Sequence, residues 1–81
     1  MNELLFEGTI LENITMGRER ATYENVIWAI ENLELKDFIK NLPNGLNTMY
    51  NPQGKQFSKG IVDKMILARS IADRPKLLLI K

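Results

Sequence analysis

The residues best placed to do chemistry lie together at the start of one predicted helix. Ser58 is a candidate N-cap for a helix over residues 59–72, and Gly60 exposes a backbone N–H there without side-chain hindrance. A helix N-terminus carries about half a positive elementary charge, and Lys59 adds a full one. This combination suits an anion. Three alternatives stay open: Ser58 is a plain N-cap without a ligand, Lys59 is an ordinary exposed first-turn residue, or the bulk of Lys59 blocks close approach.

The residue types that the chain lacks exclude a good deal of chemistry. With no Cys and no His among its 81 residues, the chain has no thiol nucleophile, no imidazole general base and none of the usual zinc or copper ligands. The phosphate-binding pattern G-x-x-x-x-G-K-[ST] is also absent, since Gly54-Lys55 is followed by Gln56. We therefore predict no catalytic residues and no metal site in this chain.

Charge is unevenly distributed along the chain. Residues 1–58 carry five basic and eight acidic side chains, whereas residues 59–81 carry six basic and two acidic ones, within a net charge of +1. The split indicates either an anion-binding end or an ordinary solvated helix face. The length is that of one small domain. Because neither a secretory signal nor an apolar run of membrane-spanning length is visible, we expect a soluble, cytoplasmic protein.

Local signals predict a chain made mostly of short helices. Thr9 and Glu12 fit a capping box for a first helix over residues 10–16, which Gly17 is placed to stop. A second helix follows Thr22, and a third follows the second. The apolar positions at helical spacing are Val26, Ile27, Ile30 and Leu33 in the second helix and Leu35, Phe38, Ile39 and Leu42 in the third.

The strongest helix pattern follows an irregular stretch. Pro43-Asn44-Gly45 is a turn signal, and residues 46–56 show no sustained periodicity. The fourth helix then runs over residues 59–72. Its predicted apolar side consists of Ile61, Val62, Met65, Ile66, Ala68 and Ile71.

The end of the chain does not fit a helical bundle. Leu77-Leu78-Leu79-Ile80 is a continuous apolar run, typical of a strand buried on both faces of a parallel sheet. A lone strand has no partner for its backbone groups, so this run requires a sheet that the other elements do not provide. We therefore expect a piece of a larger protein, whose isolated C-terminal strand promotes self-association.

The order of these elements resembles a segment of an ABC transporter ATP-binding domain, from just after the Q-loop to the Walker B strand. The similarity is to the exporter-type branch, which includes peptide and toxin secretion transporters, and it covers essentially the whole chain. It rests on Leu5-Phe6-Glu7-Gly8-Thr9-Ile10-Leu11-Glu12-Asn13-Ile14, Asp37-Phe38-Ile39, Leu42-Pro43-Asn44-Gly45-Leu46-Asn47-Thr48, Leu67-Ala68-Arg69-Ser70-Ile71 and Pro75-Lys76-Leu77-Leu78-Leu79-Ile80.

The chain also departs from the family's motifs. The L-S-G-G-Q signature aligns with Phe57-Ser58-Lys59-Gly60-Ile61, so that Lys and Ile stand where the family has a Gly and the Gln. Residues 48–54 lack the charged pair of the family's T-E-V-G-E-R-G loop, and Lys81 stands where the Walker B strand ends in an Asp that helps to hold Mg²⁺. These departures imply an altered ATP site in the parent protein.

The resemblance implies a mainly α fold. It predicts that residues 1–81 form one helical subdomain, a small bundle, and that residues 76–81 are a Walker B-like strand that would join an α/β sheet in the parent. ATP and Mg²⁺ are the parent's implied cofactors, and none is expected for the isolated chain. The parent would lie at the cytoplasmic face of the inner membrane.

The resemblance also implies two sets of contacts. Ser58, Lys59, Gly60 and Ile61 would form the signature half of an ATP site, closing over the nucleotide held by a second ATP-binding domain. A second set would contact the transmembrane domains of the transporter. That second set consists of Leu5, Phe6, Asn51, Gln53 and Gly54.

An alternative is a stand-alone helical module that binds protein or nucleic acid. Against nucleic-acid binding, the six basic residues after position 58 do not share one helix face, and few aromatic residues lie among them. We therefore expect no nucleic-acid partner.

Overall fold

Four helices and one short antiparallel ladder make up residues 4–73, the part of the chain that the computed structural model describes. The fold is mainly α, which confirms the prediction. In chain order the elements are β1 (Gly8–Thr9), α1 (Ile10–Thr15), α2 (Tyr23–Asn32), α3 (Lys36–Lys40), β2 (Met49–Tyr50) and α4 (Lys59–Ala72), with 3-10 turns at Gly45–Asn47 and Pro52–Gly54.

The predicted caps begin the helices. The backbone N–H of Glu12 donates to the Thr9 hydroxyl at 2.9 Å, and the Thr9 N–H donates to the Glu12 carboxylate at 2.8 Å, which confirms the capping box. Thr22 caps α2 and Ser58 caps α4 through the hydroxyl alone, which accepts from the N–H of Asn25 and of Ile61 respectively. Each cap satisfies an N–H that the first helical turn leaves without a carbonyl partner.

Helix α1 ends one residue before the predicted boundary. Met16, and not only Gly17, adopts a left-handed conformation, with φ of 50° and 70° respectively. The Met16 N–H donates to the Glu12 carbonyl at 2.8 Å, which closes the helix end. The predicted stop is therefore at the right place, but it begins on a residue that rarely adopts positive φ.

Helix α4 packs against both α1 and α2, and the core lies between these three helices. Of its predicted apolar side, Met65 and Ala68 are buried, while the remaining four residues are half-buried. Arg69 also faces the core, which the prediction missed. The largest fully enclosed apolar side chains are those of Ile10, Ile14, Val26, Leu35 and Met65.

The β1–β2 ladder was not predicted. It pairs Gly8 with Tyr50 and Thr9 with Met49, and only the second of these strands lies inside the stretch that the sequence indicated as irregular. Strands of two residues are too short to show a period of two, so sequence periodicity cannot reveal them. A Cβ on Gly8 would lie 2.8 Å from a Glu12 carboxylate oxygen, so a larger residue here would push that carboxylate away from its place in the capping box.

The remaining expectations concern the C-terminal residues and membrane-spanning segments. The predicted strand over residues 76–81, and the self-association expected from it, lie outside the described residues. Among residues 4–73, no helix is both long and apolar enough to cross a membrane.

Candidate functional site

The start of α4 has the geometry of a capped and open helix end. The Ser58 hydroxyl accepts from the Ile61 N–H at 3.3 Å, and the Ser58 carbonyl accepts from the Val62 N–H at 3.0 Å. The N–H groups of Lys59 and Gly60 precede this first intrahelical bond, and both residues are exposed. Two N–H groups therefore face outward at the positive end of a 14-residue helix.

Gly60 is open on its outer side. Among the described residues, the nearest atom that an added Cβ would meet is the Ser58 hydroxyl oxygen, at 4.0 Å. Glycine inside a helix costs roughly 1 kcal/mol relative to alanine. Because the packing of residues 4–73 does not require a glycine here, the vacant Cβ position leaves room for a group that approaches from outside.

Lys59, the first residue of α4, carries its charge at the surface. Its ammonium lies 3.0 Å from a carboxylate oxygen of Asp63, and its side chain is 88% exposed. Exposed ion pairs at this i,i+4 spacing stabilise a helix by only about 0.3–0.5 kcal/mol. The ammonium is therefore drawn along the helix toward Asp63, by an interaction weak enough for an incoming anion to replace.

Ile61 contributes to this site differently from its three neighbours. Its side chain is half-buried and packs against the core, and its N–H is already used by the Ser58 cap. Ile61 offers no polar side-chain atom to a ligand. It fixes the orientation of the first turn of α4 through its packing.

Phe57 anchors the approach to α4. Its ring stacks on Tyr50, with centroids 5.2 Å apart, and meets Phe38 edge-on at 5.3 Å. These contacts link the helix start to β2 and to α3. Sequence reasoning placed Phe57 only within the signature alignment and did not predict this cluster.

Gln56 closes the loop that precedes Phe57. Its side-chain carbonyl accepts from the Asn51 N–H at 2.7 Å, and its amide donates to the Met49 carbonyl at 3.1 Å. The side chain thus bonds to the backbone on both sides of Tyr50. Sequence reasoning missed this role because nothing near Gln56 shows a periodic pattern.

The residues predicted to contact the transmembrane domains lie at one end of the ladder. Because the pairing is antiparallel, residues that precede Gly8 and residues that follow Tyr50 leave the ladder at the same end. Asn51, Gln53 and Gly54 are exposed in and beside the 3-10 turn there. The Asn51 side chain accepts from the Gln53 N–H at 2.9 Å and shapes that turn.

Leu5 does not lie on this surface. Its side chain is only 6% exposed and belongs to the core, whereas Phe6 is 38% exposed and Leu4 is 74% exposed. This alternation of exposure is the pattern expected where successive side chains point to opposite sides of the chain. The surface thus contains Leu4 and Phe6, and a direct contact by Leu5 is corrected to a core role.

Two buried polar residues escaped the sequence analysis. Asn13 is 1% exposed, and its side-chain amide bonds to both backbone groups of Phe6, at 2.7 and 2.9 Å. Arg69 is 6% exposed and donates to the carbonyls of Asn13, at 2.9 Å, and Leu4, at 3.1 Å. The helical spacing of Arg69 from Met65 could have indicated its burial.

The described residues do not fit a metal ion. Within residues 4–73, no group of three or more Asp, Glu, His or Cys side chains could hold one. The start of α4, in contrast, offers N–H groups, a hydroxyl and an ammonium, which suit the phosphates of a nucleotide.

Similarity to known proteins agrees with this geometry, although no protein-family model matches the chain. The chain is 41% identical to the multidrug resistance protein pgp-1 of Caenorhabditis elegans over 76 residues, which are 94% of the chain and 6% of that protein. It is 34% identical to the uncharacterized ABC transporter ATP-binding protein YwjA of Bacillus subtilis, over 94% of the chain and 13% of that protein.

A solved structure gives the same result. A bacterial Atm1-family ABC exporter with ATP bound superposes with a TM-score of 0.79 and 31% identity, over 91% of this chain and 13% of the exporter chain. The chain is homologous to ABC transporters. This confirms the predicted resemblance to exporter-type ABC proteins. The chain spans only a small part of these relatives, so the activity and partners of a whole ABC transporter are matters for proposal.

Proposed function

We propose that residues 1–81 are the helical subdomain of an ABC transporter's ATP-binding domain. In this role the start of α4 supplies the signature half of an ATP site, and a second ATP-binding domain supplies the loop that holds the phosphates. The observation that carries the proposal is the open end of α4, where Ser58 caps the helix and Gly60 leaves its backbone accessible.

The chemistry of this half-site is electrostatic. The N–H groups of Lys59 and Gly60 and the Ser58 hydroxyl are donors for phosphate oxygens, and the aligned peptides of α4 favour negative charge at this end. The Lys59 ammonium can turn from Asp63 to the phosphates at little cost, because their pairing is weak and exposed.

The isolated chain is proposed not to hydrolyse ATP. Hydrolysis requires a loop and a Lys that cradle the β- and γ-phosphates, a bound Mg²⁺ and a group that positions water. The sequence has no phosphate-loop motif and no His, and residues 4–73 contain no cluster of metal-binding side chains. ATP would therefore act on this chain as a ligand shared with the second domain, and Mg²⁺ would be held by other parts of the parent.

The ladder end is proposed to contact the transmembrane domains. Leu4 and Phe6 provide exposed apolar surface, and Asn51, Gln53 and Gly54 provide exposed polar backbone and side chains beside it. A parent built in this way would work at the cytoplasmic face of the inner membrane and would move a substrate outward. Parts of the transporter beyond this chain would select that substrate.

The alternative of a nucleic-acid-binding module is less well supported. One of the basic residues that would form its charged face, Arg69, is buried. The positive charge of the C-terminal part is therefore less available at the surface than the sequence suggests.

The variant Gly60→Ala tests the ATP site, because it should change ATP binding and helix stability in opposite directions. The added methyl group should stabilise α4 by up to about 1 kcal/mol, since alanine is the better helix former. It should also obstruct the backbone that the phosphates approach. Without the second domain this half-site should bind ATP only weakly, so we expect amide NMR shifts of residues 58–61 at millimolar ATP in the original chain, and their loss in the more stable variant.

The control replacement is Ser70→Ala, at an exposed position of the same helix. It should leave the ATP-induced shifts unchanged. The proposal is contradicted if ATP moves no signal at residues 58–61, or if Gly60→Ala retains the full response.

A further inference from the structure

Within residues 4–73, the segment Leu4–Phe6 is held by side chains and has no strand partner. The Asn13 side-chain carbonyl accepts from the Phe6 N–H at 2.7 Å, and the Asn13 amide donates to the Phe6 carbonyl at 2.9 Å and to the Thr9 carbonyl at 3.0 Å. One amide thus satisfies both backbone groups of Phe6, as a neighbouring strand would.

Arg69 connects the same segment to α4. Its guanidinium donates through Nε to the Asn13 carbonyl and through Nη2 to the Leu4 carbonyl, and it lies 5.8 Å from the centroid of the Phe6 ring. Leu4 is 65 residues from Arg69 in sequence. A single side chain of α4 therefore contacts the segment through both its backbone and its exposed aromatic ring.

The guanidinium suits this task better than an ammonium would. Its N–H groups are fixed in a planar fork, so Nε and Nη2 reach two different carbonyls at once. Because Asn13 and Arg69 are nearly fully buried, separating the segment from α4 would break the bonds that Asn13 makes to Phe6 and that Arg69 makes to Leu4, in a setting where water does not readily replace them.

Helix α4 joins this contact to the candidate ATP site. Arg69 and Gly60 are separated by nine residues of one continuous helix, a distance of about 14 Å at 1.5 Å per residue. A displacement of the segment that moves Arg69 along the helix axis must also move the start of α4, because the helix is uninterrupted from Lys59 to Ala72.

We propose that Asn13 and Arg69 form a latch that makes the segment Leu4–Phe6 and helix α4 move as one body. Both are positioning residues, since they act on the site through the backbone of α4. With the proposed function, the latch would carry a displacement from the transmembrane contact at Leu4 and Phe6 to Ser58 and Gly60. Only this consequence rests on the proposed function; the mechanical link itself is a property of the chain.

The chain has no cysteine, so spin labels can be attached at chosen positions without removing native thiols. We would label the exposed positions Leu4→Cys and Leu67→Cys and measure their distance distribution by pulsed electron spin resonance. The latch predicts one narrow distribution in the full 81-residue chain. In the background of Arg69→Lys, which keeps the charge but not the fork, the distribution should become about twice as broad.

A matched label pair reports on the rest of the fold. Tyr23→Cys and Leu67→Cys join α2 to α4, both positions are exposed, and neither belongs to the latch. This pair should keep its narrow distribution in the Arg69→Lys variant. Arg20→Lys, at an exposed position, should leave both pairs unchanged.

Asn13→Ala provides a second break, because it removes the bonds to Phe6 and leaves the backbone carbonyl that Arg69 uses. If Arg69→Lys also broadens the distance distribution of the α2–α4 label pair, Asn13→Ala becomes the deciding variant. In Asn13→Ala we again expect a broader distribution for the Leu4 label pair alone. A broad Leu4 pair in the original chain overturns the latch. So does a Leu4 pair that stays narrow in Asn13→Ala and in a folded Arg69→Lys. No nucleotide is used here, so the latch and the ATP site can fail independently.

Discussion

The start of α4 and its later turns contrast sharply, although they belong to one helix. Lys59 and Gly60 are exposed and have few protein contacts, whereas Arg69 is buried and bonds to two distant carbonyls. The later turns therefore carry the stability of the helix, and the first turn is free to change partners. A region that must bind a ligand cannot also commit its donors to the protein.

The contrast predicts the largest loss of stability at Arg69. Arg69→Met keeps much of the apolar volume but leaves the Asn13 and Leu4 carbonyls without their donor, at a cost of about 2–4 kcal/mol in the free energy of unfolding. Urea unfolding followed by the fluorescence of the single tryptophan, Trp28, would measure it.

Arg20→Met is the matched control, because Arg20 is exposed and its loss should change the stability by no more than about 0.5 kcal/mol. If both replacements lowered the stability equally, the burial of Arg69 would have no special role. The later turns of α4 would then not differ from its first turn in the way described.

A smaller effect is expected at the boundary between the two regions. Ser58→Ala removes the hydroxyl that accepts from the Ile61 N–H and should destabilise the chain by about 1 kcal/mol. Amide hydrogen exchange would show faster exchange at Ile61, with little change in the turn that contains Arg69. Uniformly faster exchange along α4 would contradict this contrast, because the first turn would then not open separately from the later turns.

The sequence predicted those parts of the fold whose causes are local. The capping box of Thr9 and Glu12 and the start of α4 after Ser58 each depend on residues within one turn, so their signals are visible in sequence order. The residues of the candidate anion site lie at such a start, so their position at a helix N-terminus could be predicted from the sequence, while the site itself stays a prediction.

The missed features depend on long-range contacts. The ladder joins residues 8–9 to residues 49–50, and Arg69 meets carbonyls 56 and 65 residues away. No local pattern specifies such partners. A count of charged residues also does not distinguish buried from exposed side chains. Arg69 was therefore counted with the basic residues of the C-terminal part, although the fold buries it.

The smallest effect on stability, and the sharpest test of the open helix end, is expected at Lys59. Lys59→Gln breaks a weak exposed ion pair and should change the free energy of unfolding by less than about 0.5 kcal/mol. If the ammonium assists the phosphates, the same replacement should weaken ATP binding several-fold at low ionic strength, and the difference should shrink as salt screens the charge.

Lys64→Gln makes the same change in net charge further along α4, and it should have a smaller effect on ATP. Asp63→Asn then decides between the two roles that the sequence left open for Lys59. It frees the ammonium from its partner, 3.0 Å away. Tighter ATP binding by Asp63→Asn would show that Lys59 assists the anion. Tighter binding by Lys59→Gln would instead show that the side chain obstructs the backbone beside Gly60, and the positive end of α4 would then act through its N–H groups alone.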